Sequence, residues 1–111
     1  MRLFIGLAIL AFTVGNVSVM AQGKGDAQAG KTVFDSKCKI CHGANGEGNP
    51  AMAKTLKVTF RPFASKEVQS KSDADLKKNF TEGNGKMPAV KGLSDKQALD
   101  LVAFIRSLAK S

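Results

Sequence analysis

Helical spacing of apolar side chains organises most of the chain beyond its first twenty-odd residues. Gly30, Val33 and Phe34 fall at i, i+3 and i+4, one face of a helix that Asp26 can cap and that runs to Cys38. Near the other end, Leu101, Phe104, Ile105 and Leu108 make a longer stripe at i, i+3, i+4 and i+7. Ser94 and Gln97 precede it as a Ser-x-x-Gln capping box, and Arg106 and Lys110 sit near the negative end of the helix. Between these two, Ser72-Asp73-Ala74-Asp75 resembles a capping box with Asp in place of Glu. The helix it opens places Leu76 and Phe80 at i and i+4 and ends at Gly83. A short helix is predicted over 51–57, and 58–63 reads as an extended segment broken by Arg61-Pro62. The pattern is all-α, with no repeat, long linker or second domain.

Residues 1–21 follow a different rule. Met1-Arg2 gives a positive start, and 3–12 is an apolar run interrupted only by Gly6. Thr13, Gly15, Asn16 and Ser18 raise the polarity before Val19-Met20-Ala21. This is the layout of a secretory signal peptide cleaved after Ala21. An uncleaved membrane anchor is the competing reading, but the run falls short of the roughly 20 residues that a bilayer span needs. The domain is therefore expected over 22–111, in a bacterial periplasm or an equivalent lumen, without membrane insertion.

The candidate chemistry is concentrated in Cys38-Lys39-Ile40-Cys41-His42, a Cys-x-x-Cys-His motif. It uses both cysteines and the single histidine of the chain. Two thiols at this spacing can bond the two vinyl groups of one haem edge, and the adjacent imidazole then faces the iron. A structural zinc ion wants four Cys or His ligands, and only three such residues exist. A thioredoxin-like pair wants a preceding strand, whereas a helical pattern precedes Cys38. A disulfide within so short a loop would stabilise little.

The iron needs a second axial ligand or must leave that position open; Met52 and Met87 are the methionines left beyond the leader. Ten residues at about 3.3 Å each let Met52 reach the far face, so distance alone does not decide. Local chemistry favours Met87. Pro88 restricts it to extended backbone, and Gly83 and Gly85 let its loop turn.

The Cys-x-x-Cys-His early, Met87-Pro88 late and a closing helix together resemble a small class I c-type cytochrome. That resemblance implies one covalent haem c, tethered by Cys38 and Cys41 and ligated by His42 and Met87. It implies a fold of three to five helices, with the first and last crossing where Gly30 and Phe34 meet Leu101 and Phe104. It further implies that the carbonyl of Pro50, at the end of a glycine-rich loop, accepts a hydrogen bond from the His42 ring. Pro50 as a simple loop stiffener is the alternative. The family's frequent Trp and Tyr contacts to the haem propionates have no match here. Arg61 is a candidate for that role, with an ordinary surface arginine as the plainer reading, and Phe60 and Phe63 are expected against the haem.

Charge adds a partner class. Loss of the leader removes only Arg2, leaving 16 basic against 9 acidic side chains, a balance of +7. Export argues against nucleic acid, and no aromatic residues are interleaved with the lysines to stack bases. Steering toward an acidic redox protein remains, beside plain solubility. Lys39, Lys54, Lys57, Lys86 and Lys91 are the candidates near the haem edge. With both axial positions filled, the resemblance implies a monomeric one-electron carrier and not an enzyme. The alternatives are a haem peroxidase or gas sensor with a labile Met87, and a thiol oxidoreductase using Cys38 and Cys41.

Overall fold

The computed structural model describes residues 25–109, so the predicted leader and Lys110 lie outside the described residues. Six helical segments follow one another: α1 (Ala27–Lys37), α2 (Lys39–His42), α3 (Pro50–Leu56), α4 (Lys66–Gln69), α5 (Asp73–Glu82) and α6 (Asp95–Ser107). The four longer ones are those that the sequence predicts; α2 and α4 are single turns of four residues. Among the described residues the only β-type pairing is one isolated bridge, Asn84 with Met87.

The caps explain where the helices begin. The Asp26 carboxylate accepts from the amides of Gln28 and Ala29, and Ser72 accepts from Asp75. Ser94 and Gln97 form the full reciprocal box. Each capped amide is one that the first turn leaves without an intrahelical partner. The third helix starts one residue before its predicted position. Asn49 caps it, accepting from Ala51 and Met52, and Pro50 is its first residue, where a missing N–H costs nothing.

Helices α1 and α6 form the dominant helix–helix contact. Gly30 lies at the crossing: a Cβ built there would sit 1.9 Å from the Asp100 carbonyl oxygen and 2.9 Å from Phe104 Cβ. Its nearest neighbours are thus the Asp100 backbone and Phe104, while the expected partner Leu101 is buried in the core at 1% exposure. Gly25 makes a second close approach, unforeseen from the sequence, where a Cβ would lie 2.2 Å from the Leu99 carbonyl carbon. Phe34, fully buried, packs on Phe104 with ring centroids 5.0 Å apart.

A buried carboxylate ties the same crossing. Asp100 Oδ1 accepts from the Asp26 amide at 2.8 Å, and Oδ2 accepts from Lys96 Nζ at 2.8 Å. These bonds, that of Lys96 first, hold its carboxyl below the usual carboxylate range. The other side of α6 is tied by Arg106. Its guanidinium donates to the Gln69 carbonyl at 2.8 Å, the Lys71 carbonyl at 2.5 Å and Asp73 Oδ1 at 2.8 Å. Arg106 therefore anchors the α4–α5 junction and does more than complement the helix end.

Gly30→Val should lower stability by about 1–3 kcal/mol, because the crossing has no room for a side chain. For a domain of this size that is a fall in melting temperature of about 4–8 °C per kcal/mol. An unchanged thermal melt would remove Gly30 from the crossing.

Candidate functional site

The motif residues occupy a short, tightly wound piece of backbone. Cys38 closes α1, its amide bonded to the Phe34 carbonyl at 2.8 Å, and opens α2. The Cys38 carbonyl then accepts from the amides of Cys41 at 3.2 Å and His42 at 3.0 Å. Spacings of three and four residues on one helical turn bring Cys38, Cys41 and His42 to one side. Gly43, at φ 77°, ends the turn.

The glycine-rich loop folds back on this turn. Gly48 N–H donates to the His42 carbonyl at 2.7 Å and Asn49 N–H to that of Cys41 at 2.9 Å. The Asn49 side chain also donates to the Ile40 carbonyl at 3.0 Å, so one residue caps α3 and braces the motif. At Gly46, φ 73° and a Phe63 ring 2.7 Å from any Cβ explain the absence of a side chain. The Phe63 amide donates to the Gly46 carbonyl at 2.9 Å, bringing its ring beside the motif.

A cavity of ≈ 480 Å³ opens beside these groups, within the range of about 300–1,000 Å³ typical of cofactor sites. Cys38, Cys41 and His42 line it together with Phe34, Phe60 and Phe63. Helix α5 contributes Leu76 and Phe80, α6 contributes Leu101 and Ile105, and the loop after α5 contributes Met87 and Pro88. Besides His42, its polar members are Thr59, Arg61, Lys71, Asn79, Asn84 and Lys86. Met87 also packs against the core, whereas Met52, half-buried on α3, does not line the cavity.

The Met87 backbone is fixed by a tight turn. Asn84 N–H donates to the Met87 carbonyl at 3.0 Å, and Met87 N–H to that of Asn84 at 2.9 Å. Gly83, at φ 85°, ends α5 and passes close beneath, its missing Cβ 2.9 Å from the Met87 oxygen. The structure therefore brings all four predicted site residues to one cavity and leaves Met52 aside.

Burial sets the protonation of the donors. The Cys38 thiol is pushed up to about 11, chiefly by desolvation, with the nearby Lys37 charge opposing. Burial likewise lowers the His42 pKa, favouring the neutral imidazole that a metal requires. Its ring lies 4.8 Å from that of Phe63 and 5.3 Å from that of Phe60, centroid to centroid. No hydrogen-bond partner reaches the buried His42 Nδ1. The expected bond to the Pro50 carbonyl is thus not made; Pro50 instead belongs to the first turn of α3. Arg61 pairs with Glu67 at 2.5 Å while lining the cavity, so the surface-arginine reading accounts for its charge.

The donor set fits a covalent haem. Two adjacent thiols, a neutral imidazole and a soft thioether converge on an apolar cavity, with no pairing between the cysteines. An unpaired nitrogen buried among phenyl rings also marks His42 as a group placed for something other than core packing. Several features of this site had no clear sequence signal. Asn49 was readable as a helix cap, but its second bond to Ile40 depends on how the loop closes. Asn79 on α5 and Lys71 in the link before it line the cavity, a placement that depends on how the segments pack together.

Comparison with known proteins gives a consistent result. The cytochrome c family model matches residues 27–109. The chain is 33% identical to cytochrome c6 of Synechocystis sp. over 119 aligned positions, covering 98% of this chain and 90% of the relative. It is 36% identical to cytochrome c-554(547) of Halothiobacillus neapolitanus over 89 positions, 76% of this chain and 98% of the relative. Among solved structures it resembles the KustC0563 c-type cytochrome, with a TM-score of 0.63 at 28% identity, over 73% of this chain and 98% of that one. A helical fold wound round an apolar cavity, a family match over nearly the whole described chain and relatives of full length agree: this chain carries covalently bound haem c and belongs to the cytochrome c family.

Proposed function

We propose that this protein is a periplasmic one-electron carrier in which Cys38 and Cys41 tether the haem and His42 and Met87 ligate its iron. One observation carries the reading: the thiol pair, the imidazole and a thioether from a loop more than forty residues away line the same cavity. When bound, the haem supplies a one-electron Fe(III)/Fe(II) couple. A soft, uncharged thioether favours Fe(II) and raises the potential. Held by both the His42 imidazole and the Met87 thioether, the iron would offer no open position to a substrate, which favours a carrier over an enzyme.

The rest of the chain holds and shields. Phe60 and Phe63 flank His42, and Leu101 and Ile105 supply apolar surface that keeps water from the cavity. Excluding water keeps reorganisation small when the charge changes, and the protein's contribution is binding, orientation and electrostatics. The thiol oxidoreductase reading loses ground here. Catalytic cysteines have lowered pKa values, whereas that of Cys38 is raised to about 11.

Location and partner follow from the sequence. The leader over 1–21 and the requirement for haem attachment outside the cytosol support the periplasm. No helix among the described residues is long and apolar enough to cross a membrane. A net +7 after leader removal supports weak, fast docking of a monomer to an acidic redox protein. Lys39, Lys54, Lys57 and Lys91 are exposed and suited to this docking.

The experiment is electron transfer between the purified holoprotein and an acidic redox protein at rising ionic strength. The rate should fall as the screening length shortens to about 8 Å at physiological salt. A rate indifferent to salt returns the lysines to a solvating role, and a reduced protein that binds carbon monoxide readily points to a sensor.

A further inference from the structure

The side chain of Lys86 makes a contact that neither docking nor ligation uses. Its Nζ donates to the Leu56 carbonyl oxygen at 2.9 Å, across thirty positions of sequence. Leu56 is the last residue of α3, so its carbonyl is among those lacking an intrahelical partner and lies at the negative end of the helix. An ammonium is well matched to that position. Lys86 and Leu56 both line the cavity, and the bond between them is exposed to solvent.

Position in the turn makes this contact consequential. Lys86 is the residue before Met87 in the turn whose ends, Asn84 and Met87, are bonded to each other twice. A turn closed in that way moves as a unit, so what holds Lys86 also holds Met87. On its α5 side the turn hangs from Gly83 at φ 85° and contains Gly85 at φ 59°, which make a soft connection. On its far side the Val90 amide donates to the Phe80 carbonyl at 2.7 Å, which ties the turn back to α5 only. Among the described residues, Lys86 to Leu56 is the one hydrogen bond joining this turn to the segment carrying α3.

We propose that Lys86 is a positioning residue whose bond to Leu56 latches the Met87 turn to α3 across the exposed side of the cavity. The inference rests on the assignment of Met87 as ligand. It also withdraws Lys86 from the docking lysines, because its ammonium is already engaged.

The test uses the full-length holoprotein and imidazole as an external ligand. Imidazole reaches the oxidised iron only when the Met87 thioether has moved away, so its apparent affinity reports how often the turn opens. Lys86→Met should bind imidazole about fivefold more tightly, the factor equivalent to about 1 kcal/mol. It should keep the weak red absorption band of iron–sulfur ligation while imidazole is absent. Lys86→Arg keeps a donor and should stay within about twofold of the parent. Lys66→Met, on α4, removes the same charge away from the turn and should change nothing. Equal affinities for Lys86→Met and the parent, both with an intact red band, would overturn the latch while leaving the Met87 assignment standing. An equal rise in Lys66→Met or in Lys86→Arg would overturn it too, as an effect of charge or of bulk. A parent protein with no red band would defeat the Met87 assignment and the latch together.

Discussion

Replacing Cys38 and Cys41 together with Ala should prevent coloured holoprotein from accumulating. In the proposed function each thiol would contribute a covalent anchor that holds the haem regardless of the iron's oxidation state. Without them the cofactor would depend on two axial ligands and on apolar packing. The rest of the chain is poorly equipped to compensate. A domain of about 90 residues buries a modest core. Here, moreover, seven of the described core side chains (Phe34, Cys38, Val68, Leu76, Phe80, Leu101 and Ile105) also line the cavity. Removing the haem thus removes apolar contact from the residues that hold α1, α5 and α6 together. The parent protein should keep its colour with the polypeptide through acid-acetone extraction, and its mass should exceed that of the mature chain by one haem. Extractable haem in the parent would sink the tether assignment. The single variant Cys41→Ala separates tethering from folding, since Cys41 is only partly buried and Cys38 retains one link.

The second large effect is expected from Met87→Ala. The thioether donates weakly to Fe(III) and better to Fe(II), so its loss should lower the reduction potential. The red band of the oxidised form should vanish, and the iron should open to water, azide or carbon monoxide. His42 and the two thioether links remain, so the haem should stay attached and the main visible colour should persist. Folding should be less affected, because Met87 is only partly buried and packs at the margin of the core. Met52→Leu is the control. Met52 lies on α3 outside the cavity lining, so band and potential should hardly move. If Met52→Leu removed the band and Met87→Ala did not, the assignment would be reversed. If neither did, the sixth ligand would be another group.

What the sequence disclosed was local in origin. The caps at Asp26, Ser72 and Ser94 are decided by side chains within three residues of the amides they satisfy. The motif at 38–42 is contiguous, and Met87 is marked by its own neighbours, Gly85 and Pro88. What stayed hidden depends on chain segments meeting. Nothing local marks Asp100, whose role appears only when α1 brings the Asp26 amide within 2.8 Å of it. Gly25 likewise has no local signal, and its role appears only where Leu99 lies against it. Arg106 reads as a helix-end charge until α4, α5 and the link between them present three acceptors. The Pro50 expectation failed for a local reason instead: Asn49 is a strong cap, and it draws Pro50 into the helix.

The α1–α6 crossing has a mechanical consequence. The bond from Asp26 to Asp100 joins positions 74 residues apart, so the crossing shuts nearly the whole described chain into one loop. Tension applied at residues 25 and 109 would load this clasp first, and α2 to α5 would carry almost no force until it gave way. In folding the same clasp must close a long loop, at an entropy cost that grows only logarithmically with length. The cavity and its four donors thus lie inside a chain segment that is tied at its neck. Stretching such a molecule should give a single abrupt rupture and not a gradual peeling from one end.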